Sequence, residues 1–188
     1  MSLNILMGPM FAGKTSRIVS IVSRYMALGM RVFVIKHTND TRYGNQQDVI
    51  THDGVRIPCR AVNDLFDIGL NELLTYDVII VDEAQFFHGL VPFVESIVDT
   101  HEKVLYLVGL DGDSNRRPFG ELLNCIPLAD HVERITALCR ECANGTPGLF
   151  SWRHSGPVHQ QVAVGGLNSY SALCRSCYLE KIRRPVSS

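Results

Sequence analysis

Apolar positions in the first two thirds of the chain fall into two alternating kinds of run. Leu3 to Met7, Arg31 to Lys36 (with Val32, Phe33, Val34 and Ile35), Val78 to Val81 and Val104 to Val108 are short and nearly continuous. That is the pattern of strands buried on both faces. Between them, Ile18, Ile21, Val22, Tyr25 and Met26 recur at helical spacing until Gly29. Leu90, Phe93, Val94, Ile97 and Val98 form a second helical stripe, with Pro92 tolerated in its first turn. Strand, helix, strand, helix predicts an α/β domain, a parallel sheet covered by helices, over residues 1–137. From Cys139 the pattern changes. Residues 143–169 are rich in Gly, Ser, His and Gln and keep no period. Residues 138–188 are expected to form a small second unit, a long loop closed off by cysteines. No internal repeat is visible.

Composition narrows the class. A chain of 188 residues that is 46% hydrophobic supports one core and a small appendage rather than two full domains. The net charge of −1 advertises no basic face, which argues against a nucleic-acid polymer as partner. The N-terminus lacks a basic n-region, and its apolar run leads straight into a glycine loop, so no signal peptide is read there. No apolar stretch approaches the ~18 residues of a membrane span. The expectation is a cytoplasmic protein, in which six cysteines do not imply disulfides. Cys59 and Cys125 stand alone and read as buried small hydrophobes.

Gly8-Pro9-Met10-Phe11-Ala12-Gly13-Lys14-Thr15 fits G-x-x-x-x-G-K-[ST]. In this motif backbone amides curl toward phosphate oxygens and the following helix adds its positive end. Lys14 would reach the β- and γ-phosphates, and Thr15 would ligate Mg²⁺. A chance glycine turn is the bland alternative; the strand before and the helix after favour an ATP or GTP site. The strand Val78 to Val81 ends in Asp82-Glu83. An aspartate there holds Mg²⁺ in phosphate-loop enzymes. Glu83 either accepts a proton from a hydroxyl nucleophile or primes a water for ATP hydrolysis.

Cys139-x-x-Cys142 and Cys174-x-x-Cys177 are two C-x₂-C knuckles. Four thiolates so paired suit a closed, structural tetrahedral Zn²⁺, and a redox role would need only one such pair. The intervening loop, pinned at its ends, has the design of a lid. His37, His88, His101 and His131 lie at element ends and read as surface or hydrogen-bonded structural residues.

Together these residues resemble the zinc-containing (type II) thymidine kinases of animal cytosol, many bacteria and large DNA viruses. The likeness includes the Gly8–Thr15 loop, Ile35-Lys36, Asp40-Thr41-Arg42-Tyr43, Thr51-His52-Asp53 and Asp82-Glu83-Ala84-Gln85-Phe86-Phe87. It continues through Leu110-Asp111-Gly112, Pro118-Phe119-Gly120, both cysteine pairs, Gly165-Gly166 and Tyr170. The fold so implied is a P-loop NTPase-like parallel sheet with a C-terminal zinc-ribbon domain carrying a lasso loop. The activity implied is transfer of the ATP γ-phosphate to the 5′-hydroxyl of thymidine, giving dTMP. In that scheme Glu83 is the general base and Arg42 steadies the transferring phosphoryl group. Lys14 holds phosphates, and Thr15 and Asp82 hold Mg²⁺. Met10, Phe86, Leu110, Phe119, Val164 and Tyr170 line the nucleoside pocket, although on the residues alone each aromatic would read as core. The resemblance also implies a homotetramer inhibited by dTTP.

Three departures from the family pattern stand out. Ser114 occupies a place where the family usually has an aromatic. Residues 150–160 match poorly, and Gln161-Val162-Ala163-Val164 matches loosely. A kinase for deoxyuridine or deoxycytidine is therefore one rival reading. A zinc-ribbon ATPase that binds nucleic acid, and a non-catalytic ATP-binding module, are two others.

Overall fold

The computed structural model describes residues 1–38, 48–50, 56–154 and 169–183. In chain order its elements are β1 (Ser2–Met7), α1 (Lys14–Met26), β2 (Val32–His37), β3 (Asp48–Ile50), β4 (Arg56–Pro58), β5 (Arg60–Val62), α2 (Leu70–Leu73), β6 (Val78–Asp82), α3 (Leu90–Val94), β7 (Val104–Gly109), β8 (His131–Arg134), β9 (Ala137–Leu138), β10 (Pro147–Gly148), β11 (Phe150–Arg153), β12 (Tyr170–Leu173) and α4 (Arg175–Arg183). The helix begun by α3 continues as a wider π-helical stretch over Glu95–Thr100.

A six-stranded sheet runs β5-β2-β6-β7-β1-β8, and every pairing in it is parallel. Its strands alternate cleanly between two cores. Ile79 and Val81 of β6, with Leu105 and Leu107 of β7 and Leu3 and Ile5 of β1, face one side. The α3 stripe of Leu90, Phe93, Val94 and Ile97 packs there. Val78 and Ile80, with Leu6, Val34 and Val108, face the other side, where Ile18, Ile21 and Val22 of α1 cover them. Burial on both faces explains why these strands read as continuous apolar runs. Both predicted helical stripes thus meet the sheet they were expected to cover.

Two members of the sheet escape the hydrophobic pattern. The edge strand β8 reads His-Val-Glu-Arg and is mostly exposed; it exists because Asn4 to Met7 of β1 pair with it. The opposite edge, β5, has only three residues. Among the described residues no helix is long and apolar enough to cross a membrane.

The C-terminal part has a core of its own: Cys139, Leu173, Cys174 and Tyr178, flanked by Phe150 and Trp152. Two antiparallel pairs, β9–β10 and β11–β12, surround it with α4. The region between the cysteine pairs is therefore not wholly loop: β10, β11 and β12 lie within it.

Candidate active site

The C-terminal ends of three neighbouring strands, β1, β7 and β6, meet at one place. In open parallel sheets this is where ligands bind. The loop leaving β1 runs from Gly8 to Gly13 and opens directly into α1. It is wound tightly, with Phe11 at φ 65° and Gly13 at φ 82°. Lys14 is buried and curls back, its ammonium donating to the carbonyls of Gly8 (3.1 Å) and Pro9 (2.8 Å). Thr15 follows, half-buried in the first turn of α1. The backbone N–H of Met10 has a partner far along the chain, the Ser151 hydroxyl at 3.0 Å.

At the end of β6, Asp82 and Glu83 are both buried carboxylates. The Glu83 N–H donates to Asp82 Oδ1 at 2.9 Å. Glu83 sits at φ 53°, a left-handed conformation that costs a side-chain-bearing residue about 1–3 kcal/mol and concentrates at functional sites. The turn swings its carboxylate onto Gln85, whose amide Nε2 donates to Glu83 Oε2 at 2.5 Å. The same Gln85 amide accepts the Leu110 N–H through Oε1 at 2.9 Å. One buried side chain thus ties the carboxylate at the end of β6 to the backbone leaving β7. Gly109 makes this approach possible, because a Cβ there would meet Gln85 Oε1 at 2.5 Å.

Aromatic residues pack together at Phe86, just past Glu83 in the chain. The Phe86 ring meets Phe119 edge-on, 5.5 Å between centroids. The buried His37 ring supports Phe86 and Phe87 from the end of β2, with centroids 5.6 and 4.8 Å away. Burial holds the His37 pKa below its usual value, against a backbone hydrogen bond at Asn63, so an uncharged ring packs there at neutral pH.

The C-terminal unit docks on this site at several points. Besides the Ser151–Met10 bond, the Tyr178 hydroxyl donates to the Ser114 carbonyl at 2.6 Å. Arg116 lies over the rings of Tyr178 (4.7 Å) and Phe150 (5.4 Å). Arg134 joins Asp111 (2.6 Å) to the Leu149 carbonyl (3.3 Å). The loop after β7 is therefore held by Gln85 on one side and by the C-terminal unit on the other.

The four sulfurs of Cys139, Cys142, Cys174 and Cys177 all lie within 4.8 Å of one another. Cys142 Sγ is 3.8 Å from Cys174 Sγ and 3.5 Å from Cys177 Sγ. Tetrahedral zinc with bonds of about 2.3 Å requires sulfurs roughly 3.8 Å apart, so the donor set fits that ion. Burial pushes the Cys139 thiol up, but hydrogen bonds from the Cys174 and Cys142 backbone and the neighbouring thiols pull it down to about 6. Hydrogen bonds among the same sulfurs hold Cys177 well above its usual value.

The thymidine kinase family model matches residues 1–178. The chain belongs to the thymidine kinase family. Thymidine kinase a of Arabidopsis thaliana is 37% identical over 182 residues, covering 95% of this chain and 75% of the plant protein. The thymidine kinase of Yaba monkey tumor virus (strain VR587) is 36% identical over 178 residues, covering 95% and 94%. That of vaccinia virus (strain Western Reserve) is 33% identical, covering 95% and 97%.

Against the residues that the family resemblance implied, the structure gathers the Gly8–Thr15 loop, Asp82 and Glu83 at the C-terminal ends of β1 and β6, the two strands that flank β7. Leu110 is bonded to Gln85, and Phe86, next to Gln85 in the chain, packs against Phe119. Met10 is buried in the loop, and Tyr170 is buried in β12 opposite Arg153, in the hairpin that supplies Ser151. Arg42 with Asp40, Thr41 and Tyr43, the Thr51-His52-Asp53 motif, Val164 and Gly165-Gly166 lie outside the described residues. Sequence reasoning missed three site residues. Gln85 was visible in a shared motif but carried no role. Ser151 lies in the stretch that matches this family poorly. Tyr178 follows Cys177, and no periodicity marks it as a contact to Ser114.

Proposed function

We propose that this thymidine kinase family member transfers the γ-phosphoryl group of ATP to the 5′-hydroxyl of thymidine, giving dTMP. The observation that carries the reading is the Glu83 carboxylate. It is buried and held by Gln85, and like the loop that leads into α1 it lies at the C-terminal end of the parallel sheet; Phe86 follows it in the chain and packs edge-on against Phe119. A buried carboxylate beside aromatic surface suits proton removal from a hydroxyl on a flat, apolar-faced molecule.

Amides of the Gly8–Gly13 loop and Lys14 hold the phosphates in this scheme. Lys14 exchanges its contacts with the Gly8 and Pro9 carbonyls for phosphate oxygens. The Met10 amide, engaged by Ser151, serves the pocket wall rather than a phosphate. The Thr15 hydroxyl and Asp82 carboxylate are hard oxygen donors and would hold Mg²⁺, which when bound neutralises charge on the transferring group. Glu83 takes the 5′-hydroxyl proton, and Arg42 steadies the phosphoryl charge. Met10, Leu110, Tyr170 and Val164 complete the pocket with the two aromatics. Cys139, Cys142, Cys174 and Cys177 hold a structural zinc. The division at residues 137/138 into a nucleotide-binding and a zinc-binding unit is supported by their separate apolar cores. A cytoplasmic homotetramer restrained by dTTP completes the reading.

The direct test is a panel: purified protein, Mg-ATP and each nucleoside in turn, with nucleoside monophosphate as the readout. Thymidine is expected to be turned over with the highest kcat/KM. Preference for deoxyuridine or deoxycytidine would overturn the substrate assignment. ATP hydrolysis stimulated by DNA, with no nucleotide product, would overturn the kinase reading itself.

Gln85 supplies a second test. Gln85→Met keeps the length of the side chain but removes both the donor to Glu83 and the acceptor for Leu110 N–H. Loss of alignment at this level is expected to lower kcat roughly 10- to 100-fold. ATP affinity, measured by calorimetry, should stay within about twofold. Unchanged kcat would show that Glu83 needs no such support.

A further inference from the structure

The geometry points to Glu121 as a positioning residue for the nucleoside pocket, a latch that fixes the Phe119 wall against the Phe86 wall from behind. The two walls belong to segments that are distant in sequence. Phe86 ends a 3₁₀ turn, Ala84–Phe86, and the chain then runs through Phe87, His88 and Gly89 into α3. Phe119 is followed by Gly120, Glu121 and a second 3₁₀ stretch, Leu122–Leu128. The Glu121 carboxylate spans the gap with both oxygens: Oε2 accepts the Leu90 N–H at 3.1 Å, and Oε1 lies 3.3 Å from His88 Nδ1.

Leu90 needs an outside partner. Its helix starts from Gly89, which sits at φ 69° and offers no side-chain cap. The first amides of a helix have no partner within it, so a carboxylate from elsewhere is favoured there. Here it comes from the segment that carries Phe119.

The bond also sets distance, because the two segments touch next to it. Gly120 is at φ 61°, and a Cβ on it would lie 2.0 Å from the Gln85 carbonyl oxygen. Backbone therefore packs on backbone where each segment adjoins its aromatic residue in the chain, Gln85 before Phe86 and Gly120 after Phe119. Gln85 adds a second clamp, joining Glu83 to the Leu110 N–H where the chain leaves β7. Between the two clamps, the 5.5 Å edge-on contact of Phe86 with Phe119 has little freedom to open. Glu121 reaches no phosphate-loop residue among the contacts described, so its influence should fall on the nucleoside and not on ATP.

This inference rests on the reading that Phe86 and Phe119 face the nucleoside. Three variants test it, with KM for thymidine, KM for ATP, kcat and thermal midpoint measured on each. Glu121→Ala and Glu121→Asp, which remove or shorten the latch, are expected to raise the thymidine KM about tenfold, with ATP KM within about twofold. Glu121→Gln should restore the thymidine KM to near the parent value, because its amide still accepts from Leu90 N–H and can donate to His88. A lowered midpoint in Glu121→Ala with an unchanged thymidine KM would reduce Glu121 to a helix cap and overturn the proposal. So would an equal rise in both KM values. Should Glu121→Ala fail to fold, Glu121→Asp against Glu121→Gln makes the same comparison. Parent enzyme that phosphorylates no nucleoside would instead sink the functional reading, which separates the two failures.

Discussion

Glu83→Gln is expected to lower kcat by about 10²- to 10⁴-fold, the usual contribution of a positioned general base. The replacement is close to isosteric. Its carboxamide oxygen can still accept from Gln85 Nε2, so the buried hydrogen bond at this point survives. Residue 83 keeps its left-handed backbone, which Gln tolerates no worse than Glu. What is lost is the capacity to take a proton from the nucleophile. ATP affinity should therefore hold within about threefold, and the thermal midpoint should not fall. Steady-state kinetics in both substrates, with ATP titration by calorimetry, give the answer. Near-normal turnover would remove Glu83 as the base. A parallel loss of ATP affinity would instead place Glu83 with Asp82 in the magnesium site, a reading their shared hydrogen bond makes worth testing.

Removing a ligand of the proposed zinc site should have an effect as large, through folding rather than chemistry. Cys174→Ser removes one sulfur of the four. The unit around it has too small a core to fold on apolar burial alone, since two of its four buried members are Cys139 and Cys174 themselves. Structural zinc contributes apparent binding energies of about 10–16 kcal/mol in small zinc-finger peptides, and that energy is folding energy. The variant is expected to lose stoichiometric zinc and to be cleaved readily between residues 138 and 183 under limited proteolysis. The parallel sheet, with its own two cores, should keep its secondary structure and its ATP binding. Nucleoside binding should weaken strongly, because Ser151 would release Met10 and Tyr178 would release Ser114. Full zinc content and unaltered proteolysis in Cys174→Ser would contradict a four-cysteine site. Zinc loss without any change in thymidine KM would show that the C-terminal unit does not support the pocket.

The departure at Ser114 takes on a specific meaning in this arrangement. The residue contributes through its backbone carbonyl, which the Tyr178 hydroxyl binds, while Arg116 two positions on stacks over Tyr178 and Phe150. The loop after β7 is anchored to the C-terminal unit whatever side chain stands at position 114. In the same way, the poorly matching stretch after residue 150 still contains a hydroxyl at the point where Met10 requires an acceptor.

What could be read from the chain directly was whatever is local in it. Apolar period distinguished β1, β2, β6 and β7 from α1 and α3, because burial on both faces and burial on one stripe leave different repeats over a few residues. The glycine loop, the Asp82-Glu83 strand end and the two cysteine pairs were legible because their chemistry depends on spacing within one short segment. Edge strands β5 and β8 were not, since they are held by a neighbour's backbone and need no apolar pattern of their own. Tertiary structure alone decided which strand ends became neighbours, and with them the partners of Gln85, Ser151, Tyr178 and Glu121. Those bonds join segments separated by 25 to 141 positions, and each is short because the packing of the sheet and its covering units brings the segments together. No local repeat encodes such a meeting. The carboxylate proposed to react was therefore visible in the sequence, and the contacts that hold it were visible only in the fold.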